Sequence, residues 1–416
     1  MPDAEPAPGP AAEPAAEPAR IRIRVRMTAR PIDEPHRVSS QLELLFDLTF
    51  VVAVAAATEQ FAHTIAEGHA ADGLLLYLQV FFAIWWAWMN FTWFASSYDT
   101  DDVPYRLLTM VQMAGVLVLA AGVPSAADHG DYRTVVVGYV IMRLALVAQW
   151  LRASVEDPER RRTARRYALG ISVLQVGWIL RVYLGERDLL NESAQLAGFL
   201  ILVALELSVP RWAERTSTTN WHPHHIAERY GLFTIILLGE TILAATNAVR
   251  RALEATQVSA ELITVAASGL VMVFALWWLY FLHPAGPGLA NRREGSYRWG
   301  YGHYFIFAAL GALGAGLEVA VEQTGHELHI SPTGVSYAVA IPVAVFIGML
   351  WIVHTFISST PTLHLGAAIP AIVTLLLLPL GTPLVGSAVT IALLTATCVA
   401  LAGIVSWLNA AAGVRQ

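Results

Sequence analysis

Hydrophobic runs of about 20 residues, each long enough to cross a hydrocarbon core of roughly 30 Å, recur along this chain from Leu42 to Leu408. Lipid offers no partner for an unpaired backbone group, so a spanning segment must be a helix or part of a closed barrel. The two-residue alternation of barrel strands is absent, which leaves helices. Hydropathy places them near residues 42–66, 72–95, 105–123, 134–152, 164–184 and 194–209, then 226–249, 260–282, 298–321, 334–357, 363–381 and 385–409. The last two are separated only by a turn at Gly381-Thr382-Pro383. The expected fold is an all-α membrane protein of about 12 transmembrane helices. Composition agrees, because 14% of the residues are charged where soluble domains carry roughly a quarter.

Residues 1–37 read as a separate leader. Its first part is rich in Pro, Ala and Glu and has no apolar segment, so a disordered tail is expected rather than a signal peptide. Arg22, Arg24, Arg26, Arg30 and Arg37 follow as a basic collar, expected to sit at an anionic cytoplasmic leaflet. All 26 basic residues are arginine, so orientation is read from arginine alone. With the N-terminus inside, the cytoplasmic side receives the collar, the cluster from Arg160 to Arg166, Arg211, Arg215, Arg292, Arg293 and Arg415. The opposite side keeps only Arg133, Arg187, Arg250 and Arg251, so both termini are expected to be cytoplasmic.

The membrane region divides into halves at 38–225 and 226–416. Trp85-Trp86 is followed by Tyr105-Arg106, and Trp277-Trp278 by Tyr297-Arg298, at the same internal spacing. Two 6-helix repeats of the same topology are expected from this, an arrangement known in transporters.

An ionisable side chain inside a span costs roughly 2.5 to 3.5 kcal/mol on insertion scales, so it needs a partner, water or a function. Glu43 and Asp47, four residues apart on one face of the first span, can converge on a cation, a proton or an arginine. The seventh span opens with His222, His224 and His225, continues through Glu228 and Arg229, and reaches Glu240 about halfway across. At that depth a carboxylate is a natural carrier of an exchangeable proton unless an arginine stands beside it. Arg106, Arg143, Arg181 and Arg298 are candidate charge partners. Asn90, Gln112, Glu206, His303, Glu318 and His354 complete the polar set expected within spans. Two roles remain open for the acids: binding a transported proton, cation or solute, or clipping helices together through arginine.

Several other chemistries are disfavoured. The histidines around Pro223 lack the companion ligands of a defined metal site, and a lone cysteine, Cys398, excludes an internal disulfide. Asp99, Asp101 and Asp102 read as a solvated acidic turn before Pro104, and Trp85, Trp86, Trp88 and Trp93 as packing near the interface. No phosphate-binding loop, GxSxG elbow, HExxH pair or DNA-binding module is present. The expectation is a protein that is not an enzyme, holds no metal or cofactor and binds no nucleic acid. Its partners would be the lipid bilayer and a small solute or ion, and it would work as a monomer.

The string from Leu42 through Glu43, Phe46 and Asp47 to Val51 resembles the LELFFDLVFV signature of the bacterial low temperature requirement protein A (LtrA) family, with Leu45 where phenylalanine is commoner. Trp85-Trp86-Ala87-Trp88 with Tyr98 to Asp102 is similar to that family's second helix and loop. The run Glu228-Arg229-Tyr230-Gly231-Leu232-Phe233 with Gly239-Glu240 resembles its ERYGLF and GE stretch. The likeness covers roughly residues 38–408. It implies a multi-pass protein of the bacterial cytoplasmic (inner) membrane, named for a growth phenotype in the cold, with no established biochemical activity. Glu43, Asp47, Glu228, Arg229 and Glu240 carry over as its marked positions without an assigned role. The leading expectation is a secondary transporter or proton/cation-translocating protein. The alternative is a non-transporting sensor, scaffold or cold-adaptation factor whose acids are structural clips.

Overall fold

A computed structural model describes residues 23–35, 37–254, 259–282, 284–358 and 363–413. Among these residues there are 12 helices long and apolar enough to cross a membrane. The first six are α1 (Gln41–Ala66), α2 (Ala70–Tyr98), α3 (Val103–His129), α4 (Arg133–Glu156), α5 (Arg161–Glu186) and α6 (Glu192–Ala213). The rest of the chain forms α7 (Pro223–Glu254), α8 (Ala260–Phe281), a short α9 (Ala285–Asn291), α10 (Ser296–Glu322), α11 (Pro332–Ile357), α12 (Leu365–Leu377), a one-turn α13 (Thr382–Val385) and α14 (Ser387–Gly413).

Local chemistry sets several boundaries. Ser40 opens α1 with a capping box, accepting from the Glu43 amide while the Glu43 carboxylate accepts from the Ser40 amide. Asp102 caps α3 just ahead of Pro104 in its first turn. Gly130 closes α3 in the left-handed region, at φ +66. The final reversal differs from its expected place. A 3₁₀ turn from Leu378 to Gly381 and then the one-turn α13 carry the helical path past Pro383 to Val385, and the chain breaks at Gly386, φ +84.

The core is built on α2 and α10, whose apolar windows are 72% and 83% buried, whereas α5, α6 and α12 lie at the periphery with 22% to 28%. In the first half α1 packs on α3 and α3 on α4; in the second, α7 packs on α10 and α10 on α11. The α3/α4 crossing is close because it runs over glycine: a Cβ on Gly138 would stand 2.6 Å from the Gly115 carbonyl oxygen. The paired tryptophans have different environments in the two halves. Trp85 and Trp86 are buried, while Trp277 and Trp278 are about half exposed on the outer surface.

The described collar arginines pair with acids of the bundle and of the collar itself. Arg24 pairs with Glu156 at 2.9 Å, Arg26 donates to the Glu156 carbonyl, Arg30 pairs with Glu34, and Arg37 lies 3.5 Å from Asp99. Residues 23–35 and 37–40 thus form a strap across one end of the bundle, with Met27 fully buried beneath it. Arg22, Arg415 and the Pro/Ala/Glu tail lie outside the described residues.

Candidate functional site

The acids of α1 meet the start of α7. Arg229 places Nη1 2.9 Å from Glu43 Oε1, and its Nε and Nη2 grip the two oxygens of Asp47. Trp88 of α2 donates its indole N–H to Asp47 Oδ1 at 2.7 Å. His225 Nε2 stands 3.1 Å from Glu43 Oε1, and Arg37 of the strap 3.7 Å from the same atom. Glu43, Asp47, His225 and Arg229 are all fully buried. One guanidinium thus bridges two carboxylates between α1 and α7, held by a fork geometry that lysine lacks. Glu228, one residue earlier, faces the strap instead and accepts from the Ser39 amide.

A second buried pair lies wholly in the first half. Arg143 of α4 pairs with Glu206 of α6 at 2.8 Å, and both are buried. Glu206 also accepts from Trp86, Tyr139, Gln175 and Trp178, so α2, α4 and α5 are all tied to one carboxylate on α6. The expectation that Arg143 partners the acids of α1 or α7 is corrected: its fixed neighbour is Glu206. Arg106 pairs with Asp101 at 2.7 Å near the surface, and Arg298 stacks over Phe356. Neither reaches Glu43, Asp47 or Glu240. Arg181 donates to the Gln195 carbonyl and lies over Tyr132 and Phe199.

Glu240 stands apart from both clusters. It lies 11 residues beyond Arg229 on α7, about 16 Å along the axis and on nearly the same face. Between them pack Trp88, Phe233 and Phe307, with Trp88 and Phe233 stacked at 4.3 Å and Phe233 meeting Phe307 at 5.0 Å. Glu240 is 7% exposed, makes no ion pair among the described residues, and its Oε2 has no hydrogen-bond partner. The charges acting on it are those of Glu318 and Glu59. Those two line a cavity of about 410 Å³ at the end of the bundle away from the strap, together with Glu67, Glu322 and Glu327, three histidines and Arg251. Arg251 closes on Glu318 at 2.6 Å, which leaves the mouth strongly acidic.

The acidic turn between α2 and α3 is structural rather than merely solvated. Asp102 is fully buried, and burial alone would raise its carboxyl. Hydrogen bonds from Arg152 and from the Val25 and Tyr105 amides instead hold it down at about 2. Asp99 goes the other way: burial and the nearby Glu43 charge push it up to about 6, with Arg37 and Arg30 offsetting them in part.

Twelve membrane-length helices tied by buried ion pairs define a multi-pass helical membrane protein. The profile of the family described as "Bacterial low temperature requirement A protein (LtrA)" matches residues 38–406, and the chain belongs to that family. An uncharacterized protein of Rhizobium meliloti (strain 1021) is 28% identical over 291 residues, covering 65% of this chain and 67% of its own length. The α1 string, the α2 tryptophans and the α7 run all fall inside the matched residues.

Proposed function

We propose that this LtrA-family protein is a secondary transporter that moves a proton or small cation, with Glu240 as the group that loads it. The observation that carries this reading is the solitary position of Glu240. It is a buried carboxylate without a cationic partner among the described residues, under the charges of Glu318 and Glu59, which line the acidic mouth. An intramembrane acid that clips helices has an arginine beside it, as Glu43, Asp47 and Glu206 do. In this reading a cation that enters at the acidic mouth loads on Glu240, and the packed rings of Trp88, Phe233 and Phe307 bar its way beyond. Beyond them Arg229 occupies Asp47, so the strap-side cluster acts as a closed gate rather than as a second loaded site. Glu43 and Glu228 guard that side. Passage requires Arg229 to exchange partners or the two halves to rock about the α1/α7 contact, the motion that a repeat of two 6-helix units would use.

In this reading the protein sits in the bacterial inner membrane with both termini cytoplasmic, works as a monomer in lipid, and carries out no covalent chemistry. It needs no cofactor, metal or nucleic acid. The test is cation flux into liposomes by the wild type and by Glu240→Gln, with loss of flux in the variant expected.

The non-transporting reading has one specific observation in its favour. The α1/α7 and Arg143–Glu206 clusters are both ion-paired and buried, as structural clips would be. Under it Glu240→Gln changes no flux.

A further inference from the structure

A small aromatic cavity near the strap side belongs to none of these clusters. It encloses about 30 Å³ between α2, α4, α5, α6 and α10. That is room for one or two water-sized groups, since a single water needs roughly 10 to 15 Å³. Its walls include Trp93, Trp150, Tyr167, Tyr301 and Glu214. Trp150 and Tyr167 stack at 4.2 Å. Glu214, the residue that ends α6, accepts from Tyr167 at 3.0 Å, Thr219 at 2.6 Å and Tyr297 at 2.7 Å. All three donors are neutral hydroxyls, and Glu214 has no ion pair among the described residues. Arg293 acts on it from a distance, but its guanidinium is stacked over Trp221 at 3.8 Å.

We propose that this cavity binds a small primary ammonium ion, ammonium itself or methylammonium, with the nitrogen against Glu214 and the aromatic faces around it. A carboxylate hydrogen-bonded by neutral hydroxyls and lined by aromatic side chains favours a cation. The volume restricts that cation to one or two heavy atoms. A divalent metal ion is a poor fit, because calcium and magnesium take six or more oxygen ligands, usually with several carboxylates, and Glu214 is the one carboxylate in these walls. Gly300 keeps one wall bare, since a Cβ there would stand 3.4 Å from Trp93 and 3.0 Å from the Tyr230 hydroxyl. Glu214 is half-buried, so the carboxylate is reached from the aqueous end of the bundle. The site goes beyond the translocation reading and does not depend on it.

The test is calorimetric titration of the purified full chain in detergent with methylammonium chloride and, separately, tetramethylammonium chloride, at constant ionic strength. One saturable site for methylammonium and none for tetramethylammonium are expected. Glu214→Gln should weaken methylammonium binding by about tenfold or more, the size of a lost charge-assisted contact. Glu192→Gln, an exposed acid at the other end of α6, should leave it unchanged. Gly300→Ala adds one methyl group to the wall and should also weaken binding, which decides the matter if Glu214→Gln does not fold. No saturable methylammonium binding, equal binding of tetramethylammonium, or affinity unchanged in the folded cavity variants would overturn the assignment.

Discussion

Arg229 and Asp47 are joined by two parallel contacts between α7 and α1, sealed from solvent and steadied by the Trp88 indole. Removing one member of such a pair strands the other charge, which typically costs about 3 to 5 kcal/mol when the pair is buried. Arg229→Ala should therefore lower thermal stability in detergent by that order. Arg229→Lys should recover only part of it, because an ammonium cannot span both carboxylates. The triple variant Glu43→Gln/Asp47→Asn/Arg229→Met, which removes the charges together, should unfold closer to wild type than Arg229→Ala. A triple variant less stable than Arg229→Ala would show that the ion pairs are not what the single substitution breaks.

Glu206 is the acceptor for five donors on three other helices, and its loss has the same physical basis. Glu206→Gln and Arg143→Ala should each destabilise by about 3 kcal/mol or more, with little further loss when they are combined, because the second change acts on a group already stranded. Trp86→Phe removes one of the five hydrogen bonds and should cost about 1 kcal/mol. Thermal unfolding of the single and double variants gives the coupling directly.

Glu240 contrasts with both. It has no partner to strand, so Glu240→Gln should leave stability unchanged or raise it slightly while removing a buried charge. A large fall in unfolding temperature would reveal a partner that the geometry does not contain.

Asp99 supplies a pH dependence with a definite sign. Its folded carboxyl is raised to about 6, above an unfolded value of about 3.9, so the fold favours the neutral acid. The resulting stability is present below pH 4 or so and is lost as pH rises through about 6. Asp99→Asn should therefore gain stability relative to wild type between pH 4 and pH 8, measured as the difference in unfolding temperature across that range. A difference that stays flat or shrinks would contradict the burial argument.

How far the sequence showed this arrangement follows from what each contact depends on. Helix positions were legible because lipid forces every span to be a long apolar helix. The four-residue spacing of Glu43 and Asp47 already put both on one face. That Arg229 meets them depends on which helices touch across 182 residues of sequence, and apolar helices carry no mark of their neighbours. The same limit hid Arg143 and Glu206, which hydropathy shows only as two costly residues in separate spans. The strap is hidden for another reason: an arginine-rich coil beside a span has the composition of a lipid-binding collar, and its contacts with Asp99, Asp102 and Glu156 depend on how the helices assemble. His225, in the histidine run that opens the seventh span, lies four residues before Arg229 and so on the same face, yet composition gives no sign that it meets Glu43. The aqueous mouth near Glu240 could have been suspected from Glu59 and Glu318, but not assembled.

The measurement that bears most directly on the central proposal is proton and alkali-cation flux into liposomes, comparing wild type with Glu240→Gln at matched reconstitution and with Glu192→Gln as an exposed-acid control. The account predicts flux in the wild type and the control, and its loss in a Glu240→Gln protein that is folded and equally abundant. Undiminished flux in that variant would contradict it, and would remove Glu240 from the transport path.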